Sequence, residues 1–336
     1  MSEERVGALT ESVLAFGGGE HLSGVLTRVS GPACVQGAGI ASMSSPERGG
    51  LGVLLLNAGV IARTGPHRFN VKLARALANH GLPVLRFDVS GQGDSGTTAD
   101  ALPQSQQVTN DIVGAIDVME RMAGVEQVLI VGLCSGANQG WFAALVDPRI
   151  AGLVMIDPFA YPTGKTLAKY HWRRIRLRGA RGNLSLAGRS LRKAAGYLLQ
   201  EVSRRLKQSS NVSMSEESDY ESRLPLSEYV QGMQRLVDRG VNLLLIYTGS
   251  WSRHYSYPEQ FSDLFGPYPF AAQIQCEYVP QFDHTLTLVS TQQKMIRRIE
   301  SWIELVLAQH QLSRSDRVRV AASRPACPTE LLAAGR

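Results

Sequence analysis

The stretch VGLCSGANQG, residues 131–140, places a thiol beside a hydroxyl and between glycines. It follows the apolar run QVLIV and precedes ANQGWFAALV, which has the composition of a helix. A strand that turns sharply into a helix strains the backbone of its central residue and requires small residues two positions before and after it. Gly132 and Gly136 therefore select Cys134, rather than Ser135, as the centre of this turn.

Strand-like and helix-like segments alternate along most of the chain. Residues 51–59, LGVLLLNAG, form a continuous apolar run typical of a parallel strand buried on both faces. Similar runs follow at residues 82–88, 127–132, 150–157, 241–249 and 274–280. Their alternation with amphipathic patterns predicts an α/β fold with a mainly parallel, doubly wound sheet. Two short strands around GGGEH, residues 17–21, predict an antiparallel N-terminal edge.

One interval breaks the alternation and divides the predicted domains. We expect a core formed by residues 1–158 and 226–312, with residues 159–225 inserted as a basic helical cap. Between residues 160 and 210 there are thirteen Lys and Arg residues against one acidic residue, in a chain whose net charge is only +6. Residues 313–336 lack apolar periodicity, which predicts a disordered tail.

Composition narrows the class of protein. Of 336 residues, 44% are hydrophobic and 19% charged, which is typical of a globular protein with a sizeable core. The four cysteines have neither CxxC nor metal-ligand spacing, so we predict no disulfide framework, no metal site and no cofactor. The N-terminal sequence MSEERVGALTES lacks the features of a signal peptide, and no apolar run reaches the roughly 20 residues that span a bilayer. We therefore expect a cytoplasmic location.

The strand order, the turn at Cys134 and a late histidine resemble the α/β-hydrolase superfamily from about Val13 to Leu307. Residues 65–95, GPHRFNVKLARALANHGLPVLRFDVSGQGDS, and GLCSGA at 132–137 resemble bacterial exosortase A system-associated hydrolases and stand-alone hydrolases of biosynthetic clusters. The sequence also resembles dienelactone hydrolase in having a cysteine at this turn, although only that position is shared. The resemblance implies an α/β-hydrolase fold in which Cys134 is the nucleophile on the nucleophile elbow.

The resemblance also implies the partners of this nucleophile. The general base of the superfamily lies on the loop after the last strand, where FDHT places His284. The oxyanion hole uses two backbone amides, which by position are those of Ser135 and Val60. Val60 follows Asn57-Ala58-Gly59, where many relatives have His-Gly.

The acid that orients the histidine is not where the superfamily usually has it. That position, after LLLIYTG, holds Ser252. Asp157 ends the strand IAGLVMID, a place from which some lipases supply the acid, and Glu259 or Asp263 are alternatives from the following segment. A thiol ionises near pH ~8.5 and more readily beside a histidine, so a cysteine depends less on this acid than a serine does.

These residues predict an acyl-transfer enzyme, esterase-like or thioesterase-like, in which Cys134 and His284 act on an ester or thioester. Acyltransferase activity, elimination of an acyl group and a non-catalytic carrier-binding scaffold are the alternatives. The basic cap, together with Arg63 and Arg68 after the oxyanion loop, favours an anionic small-molecule or carrier-bound substrate, such as coenzyme A or acyl carrier protein. We expect no nucleic-acid partner, because no nucleic-acid-binding module is recognisable, and no peripheral membrane contact.

Overall fold

The computed structural model describes residues 8–30, 50–98, 102–173, 176 and 224–322. A helical stretch at residues 164–173 precedes a gap in these ranges. The other elements are β1 (Ala8–Phe16), β2 (Leu22–Ser30), β3 (Leu51–Leu55), α1 (Phe69–Asn79), β4 (Val84–Phe87), α2 (Gln104–Ala123), β5 (Gln127–Leu133), α3 (Ser135–Val146), β6 (Ile150–Ile156), α4 (Leu226–Asp238), β7 (Asn242–Thr248), α5 (Gln260–Phe265), β8 (Gln275–Val279) and α6 (Val289–Ala322).

The strands form one sheet in the order β1-β2-β4-β3-β5-β6-β7-β8. β1 pairs antiparallel with β2, and β2 pairs antiparallel with β4. β3 runs parallel to both β4 and β5, and β5 runs parallel to β6. The predicted α/β-hydrolase fold, mainly parallel with an antiparallel N-terminal edge, is confirmed.

Burial follows the position of each strand in this sheet. Every residue of β3 and of β4 is buried, because helices cover both faces of a doubly wound sheet. Along β1, by contrast, exposed and half-buried residues alternate, as expected for an edge strand with one face in water. Each fully buried Leu or Val contributes roughly 1.5–3 kcal/mol relative to exposure, so the central strands dominate the stability of the fold.

The residues cluster into two compact units. Of the described residues, the first unit contains those up to Ile156, Arg239–Leu244 and those from Thr285 onward. The second unit contains the described residues of Asp157–Asp238 and Leu245–His284. The second unit has an aromatic core, in which the fully buried Tyr229 ring lies 5.8 Å from that of Phe265.

Several predicted boundaries can be compared with these elements. Residues 174, 175 and 177–223, which make up most of the predicted cap, lie outside the described residues, as do residues 323–336 of the predicted tail. The predicted tail begins at residue 313, but α6 continues to Ala322 and therefore includes residues 313–322 of that tail. Arginine and alanine are frequent in that extension and favour a helix without apolar periodicity. No helix in the described ranges has the length and apolar character needed to cross a membrane.

Candidate active site

Cys134 stands between the end of β5 and the start of α3, at the turn that the sequence predicted. Its backbone has φ 58° and ψ −119°, a conformation that residues with a side chain rarely adopt. The Cys134 amide donates to the Ile156 carbonyl over 2.8 Å, which holds the strained residue beside β6. A Cβ atom at Gly132 would collide with the backbone of Gly136, and one at Gly136 would collide with the Asn57 carbonyl. The two glycines are therefore needed for close backbone approach.

The loop after β3 carries the predicted oxyanion residue Val60. The Ile61 amide donates to the Ala58 carbonyl over 3.0 Å and closes a tight turn in which Gly59 has φ 57°. Val60 is 89% exposed, and the bond that closes the turn does not use its amide. Ser135 is the first residue of α3, so its amide has no carbonyl partner within the helix. The role of these two amides as oxyanion donors stays a prediction.

The side chain of Ser135 has a contact that the sequence did not reveal. Its hydroxyl oxygen accepts a hydrogen bond from the Gly59 amide over 2.7 Å. The bond joins the loop that carries Val60 to the first turn of α3. The sequence suggested only a backbone role for Ser135, because nothing in the pattern indicates a partner for the hydroxyl.

A buried carboxylate anchors the same loop from its other end. Asp88 is fully buried, and its Oδ1 accepts from the Arg63 amide at 2.5 Å and from Asn57 Nδ2 at 3.1 Å. Its Oδ2 accepts from the Arg63 guanidinium and from the Asp94 amide. Sequence reasoning missed Asp88, although it begins the glycine-rich segment DVSGQGDS after β4.

The two arginines predicted to contact substrate lie in different surroundings. The Arg63 guanidinium pairs with Asp88 and with Asp94, the latter at 2.6 Å, and its side chain is only 16% exposed. Burial lowers the pKa of Arg63, but the bonds to the two carboxylates outweigh it and raise the pKa above its usual value. Its charge is therefore compensated locally. Arg68 is exposed and has φ 61° at the start of α1. Substrate contact by either arginine stays a prediction.

The second unit brings Asp157 and His284 together. Asp157 directly follows β6 and is 1% exposed, and its Oδ2 lies 2.7 Å from His284 Nδ1. Thr248 also donates to this carboxylate, from its amide at 2.6 Å and from its hydroxyl at 2.7 Å. An ionised carboxylate only accepts hydrogen bonds, so His284 Nδ1 carries a proton and Nε2 of the neutral ring is the atom that can accept one.

An aromatic ring also fixes His284. The Trp251 indole stacks on the imidazole with ring centres 5.1 Å apart and planes within 7°. Trp251 belongs to the turn after β7, where the superfamily usually has its acid, and the Gly249 amide of that turn donates to the Phe282 carbonyl at 2.9 Å. No pattern in the sequence indicates this stacking.

The other predicted acid positions have different surroundings. Ser252 lines a cavity of about 450 Å³ in the second unit, together with Tyr170, Arg173, Ser250 and Asp283. Asp263 pairs with Lys165 at 3.2 Å, and Glu259 precedes α5. Of the carboxylates considered from the sequence, Asp157 is the one for which a hydrogen bond with His284 is seen, 2.7 Å between Oδ2 and Nδ1.

One further cysteine in the described ranges, Cys276, differs sharply in environment from the elbow. Its thiol lies 3.5 Å from the Tyr255 hydroxyl, and burial raises the pKa of Cys276 to about 12. A thiol with so high a pKa is a poor nucleophile near neutral pH. Within the same ranges, no group of three or more His, Cys, Asp or Glu side chains is placed to hold a metal ion.

Comparisons with known proteins place the chain in a family. A model of the alpha/beta hydrolase fold matches residues 53–248. An esterase of Pyrococcus furiosus has a similar structure, with a TM-score of 0.50 and 10% identity over 88% of this chain and 91% of its own. A putative dienelactone hydrolase of Klebsiella pneumoniae has a TM-score of 0.49 and 15% identity, covering 90% of this chain and 99% of its own. The sequence matches no curated protein. The extent of the family match shows that the chain belongs to the alpha/beta hydrolase fold family.

Proposed function

We propose that the protein is an acyl-transfer hydrolase that cleaves an ester or thioester through a Cys134 nucleophile and a His284 base. The observation that carries the proposal is the strained backbone of Cys134 between β5 and α3, with glycines on both sides. Strain of this kind persists where function requires a side chain to be held at an exposed turn. The hydrogen bond between Asp157 and His284 supports it independently, because a free-standing base would not need a buried carboxylate.

The chemistry follows from these positions. The Cys134 thiolate attacks the acyl carbon, and the carbonyl electrons move to the oxygen, which the Val60 and Ser135 amides stabilise. When the tetrahedral intermediate collapses, the bond to the leaving group breaks and His284 donates a proton to that group. Water then attacks the resulting thioester while His284 Nε2 accepts its proton, and the acid product leaves with the Cys134 thiolate restored.

Two features assist a thiolate in particular. Cys134 immediately precedes α3, and the partial positive charge at a helix N-terminus stabilises an anion there. Asp157 stabilises the imidazolium that accompanies a thiolate, because its carboxylate faces Nδ1. The intermediate is itself a thioester and reacts with amines and thiols, so transfer to an acceptor other than water is the nearest alternative. The subgroup resemblance to exosortase A system-associated hydrolases stays a prediction.

Intact-mass spectrometry with short acyl thioesters tests the proposal directly. We expect an acyl adduct and turnover in the wild type, loss of both in Cys134→Ala, and retention of both in the control Cys276→Ala. A Cys134→Ala variant that forms no adduct but keeps the biological function of the protein would favour the non-catalytic scaffold. Turnover lost in Ser135→Ala but kept in Cys134→Ala would show that Ser135 is the nucleophile.

We further propose an anionic acyl donor such as coenzyme A or a phosphopantetheine carrier. The support is the basic composition of residues 160–210 and the position of Arg173 in the cavity of about 450 Å³. Arg173→Gln is expected to raise KM for an acyl-coenzyme A severalfold, but not for the matching N-acetylcysteamine thioester, which lacks phosphate. The control is Arg253→Gln, which removes an exposed arginine of the same unit. Equal KM changes for both donors would contradict a phosphate contact.

A further inference from the structure

Within the described residues, two contacts join the oxyanion loop, which is the loop after β3 that carries Val60, to the first turn of α3. One is the hydrogen bond from the Gly59 amide to the Ser135 hydroxyl oxygen, 2.7 Å long. The other is the approach of the Asn57 carbonyl to Gly136, which is so close that a single methyl group on Gly136 would collide with it. The first contact depends on a side chain and the second only on backbone, so they can be separated by mutation.

The base and the tip of the loop are held by different groups. At the base, Asn57 Nδ2 donates to the Ile61 carbonyl at 2.9 Å and to the buried Asp88 at 3.1 Å. The tip is Gly59 and Val60. Gly59 has no side chain to pack, and Val60 is 89% exposed, so burial contributes little to fixing this tip. The hydrogen bond from the Gly59 amide to the Ser135 hydroxyl oxygen joins this tip to the helix.

We infer that the Ser135 side chain is a positioning residue that sets the spacing of the oxyanion hole, a role that rests on the proposed acyl-transfer function. Ser135 contributes one oxyanion donor through its amide, and its hydroxyl binds the residue directly before Val60, which contributes the other. One residue thereby connects both donors. The distance between the donors has to match an oxyanion that forms only in the transition state, so the connection acts on kcat more than on KM.

The size of the effect follows from the chemistry of such sites. Removal of a whole oxyanion donor typically lowers kcat by about 10²–10³-fold. Ser135→Ala keeps both amides but frees the loop tip, so we expect a smaller loss, about 10- to 100-fold in kcat, with KM within about threefold. Threonine retains a hydroxyl at the same position, so Ser135→Thr should restore kcat to within about threefold of the wild type.

The test compares steady-state turnover of a short acyl thioester in wild type, Ser135→Ala, Ser135→Thr and Cys134→Ala. Alkylation of Cys134 by iodoacetamide is measured in parallel, because this reaction forms no oxyanion and should proceed equally fast in Ser135→Ala. Thermal unfolding reports any general loss of structure. The matched control is Ser262→Ala, which removes a hydroxyl bonded to the Glu259 carbonyl in the other unit and should leave kcat unchanged.

The outcomes separate this inference from the proposed function. Wild-type turnover in Cys134→Ala would refute both. Dependence on Cys134, combined with a kcat in Ser135→Ala within twofold of the wild type, would refute the positioning role alone. An equal loss in turnover and in Cys134 alkylation, or failure of threonine to restore kcat, would also overturn it, because each indicates a general structural change. An acyl adduct found on Ser135 would overturn it by making that residue the nucleophile.

Discussion

Replacing Asp157 by asparagine removes a buried negative charge beside His284 and changes little else in shape. In the wild type, the Thr248 amide donates to Asp157 Oδ1 over 2.6 Å. The asparagine carbonyl oxygen can still accept this hydrogen bond. Its NH₂ group then takes the place of Oδ2, the oxygen that bonds both the Thr248 hydroxyl and His284 Nδ1. A donor facing Nδ1 forces the imidazole proton onto Nε2, the atom that accepts a proton in the proposed mechanism.

The expected magnitude comes from the one charged hydrogen bond that is lost, 2.7 Å between Asp157 Oδ2 and His284 Nδ1. Hydrogen bonds to charged groups contribute about 1.5–3 kcal/mol, and each 1.36 kcal/mol in a barrier is a factor of ten in rate. We therefore expect kcat/KM to fall by about 10- to 150-fold in Asp157→Asn. The loss should be at the lower end if a thiolate already exists before substrate binds.

The assay is kcat/KM for a short acyl thioester from pH 5 to 9, with thermal unfolding of each variant. A matched control is Asp147→Asn, because Asp147 is also buried but accepts hydrogen bonds from Arg149, the residue directly before β6. Burial would raise the pKa of Asp147, but the hydrogen bonds from Arg149 prevail and lower this pKa. The contribution of Asp147 to stability is therefore lost as the pH falls through the lowered pKa. Asp147→Asn should lower stability and leave kcat/KM unchanged.

A second control is Ser252→Ala, at the position where the sequence resemblance implied an acid. We expect no change in kcat/KM there. The reasoning is refuted if folded Asp157→Asn keeps kcat/KM within twofold of the wild type at every pH. It is equally refuted if Ser252→Ala has the larger effect, since the histidine would then be oriented from the turn after β7.

Two further predictions concern cysteine reactivity and backbone packing. With a pKa of about 12, only about one Cys276 thiol in ten thousand is ionised at pH 8. In a variant whose other two cysteines, Cys34 and Cys327, are replaced by serine, iodoacetamide should therefore modify Cys134 far faster than Cys276. Equal modification rates of Cys134 and Cys276, measured by peptide mass spectrometry, would contradict this. The same raised pKa predicts a loss of stability as the pH rises from about 9 towards 12. Gly136→Ala should lower the free energy of unfolding by about 1–3 kcal/mol in denaturant titrations, because the added methyl group collides with the Asn57 carbonyl. The control Gly114→Ala, in open space on α2, should raise the free energy of unfolding by about 0.5–1 kcal/mol. A Gly136→Ala variant as stable as the wild type would contradict the close approach of Gly136 and Asn57.

Features with a local signal could be predicted from the sequence. The turn at Cys134 was predictable because its requirement for small residues is met by Gly132 and Gly136, two positions away on either side. The buried strands were predictable because a parallel strand covered on both faces has to be continuously apolar, as β3 is. Each signal lies within about ten residues.

Features that depend on contacts between distant residues could not be predicted from the sequence. Asp157 and His284 are separated by 127 positions, and the sequence alone left Asp157, Glu259 and Asp263 as alternative acids. The hydrogen bond between Gly59 and Ser135 spans 76 positions and had no sequence signal. Arg63 was expected to add positive charge near the substrate, because a sequence shows a charge but not the carboxylates that face it.

The origin of the acid changes what the turn after β7 can do. Because Asp157, which directly follows β6, is hydrogen-bonded to His284 Nδ1, the turn after β7 contributes Trp251, whose ring stacks on His284, and Ser252, which lines the cavity. Aromatic stacking contributes about 0.5–1.5 kcal/mol, and the charged hydrogen bond about 1.5–3 kcal/mol, so the indole cannot replace the carboxylate. It restricts the imidazole in a different direction, however. The hydrogen bond fixes where Nδ1 points and the stacking fixes the tilt of the ring, so both are needed to define the direction of Nε2.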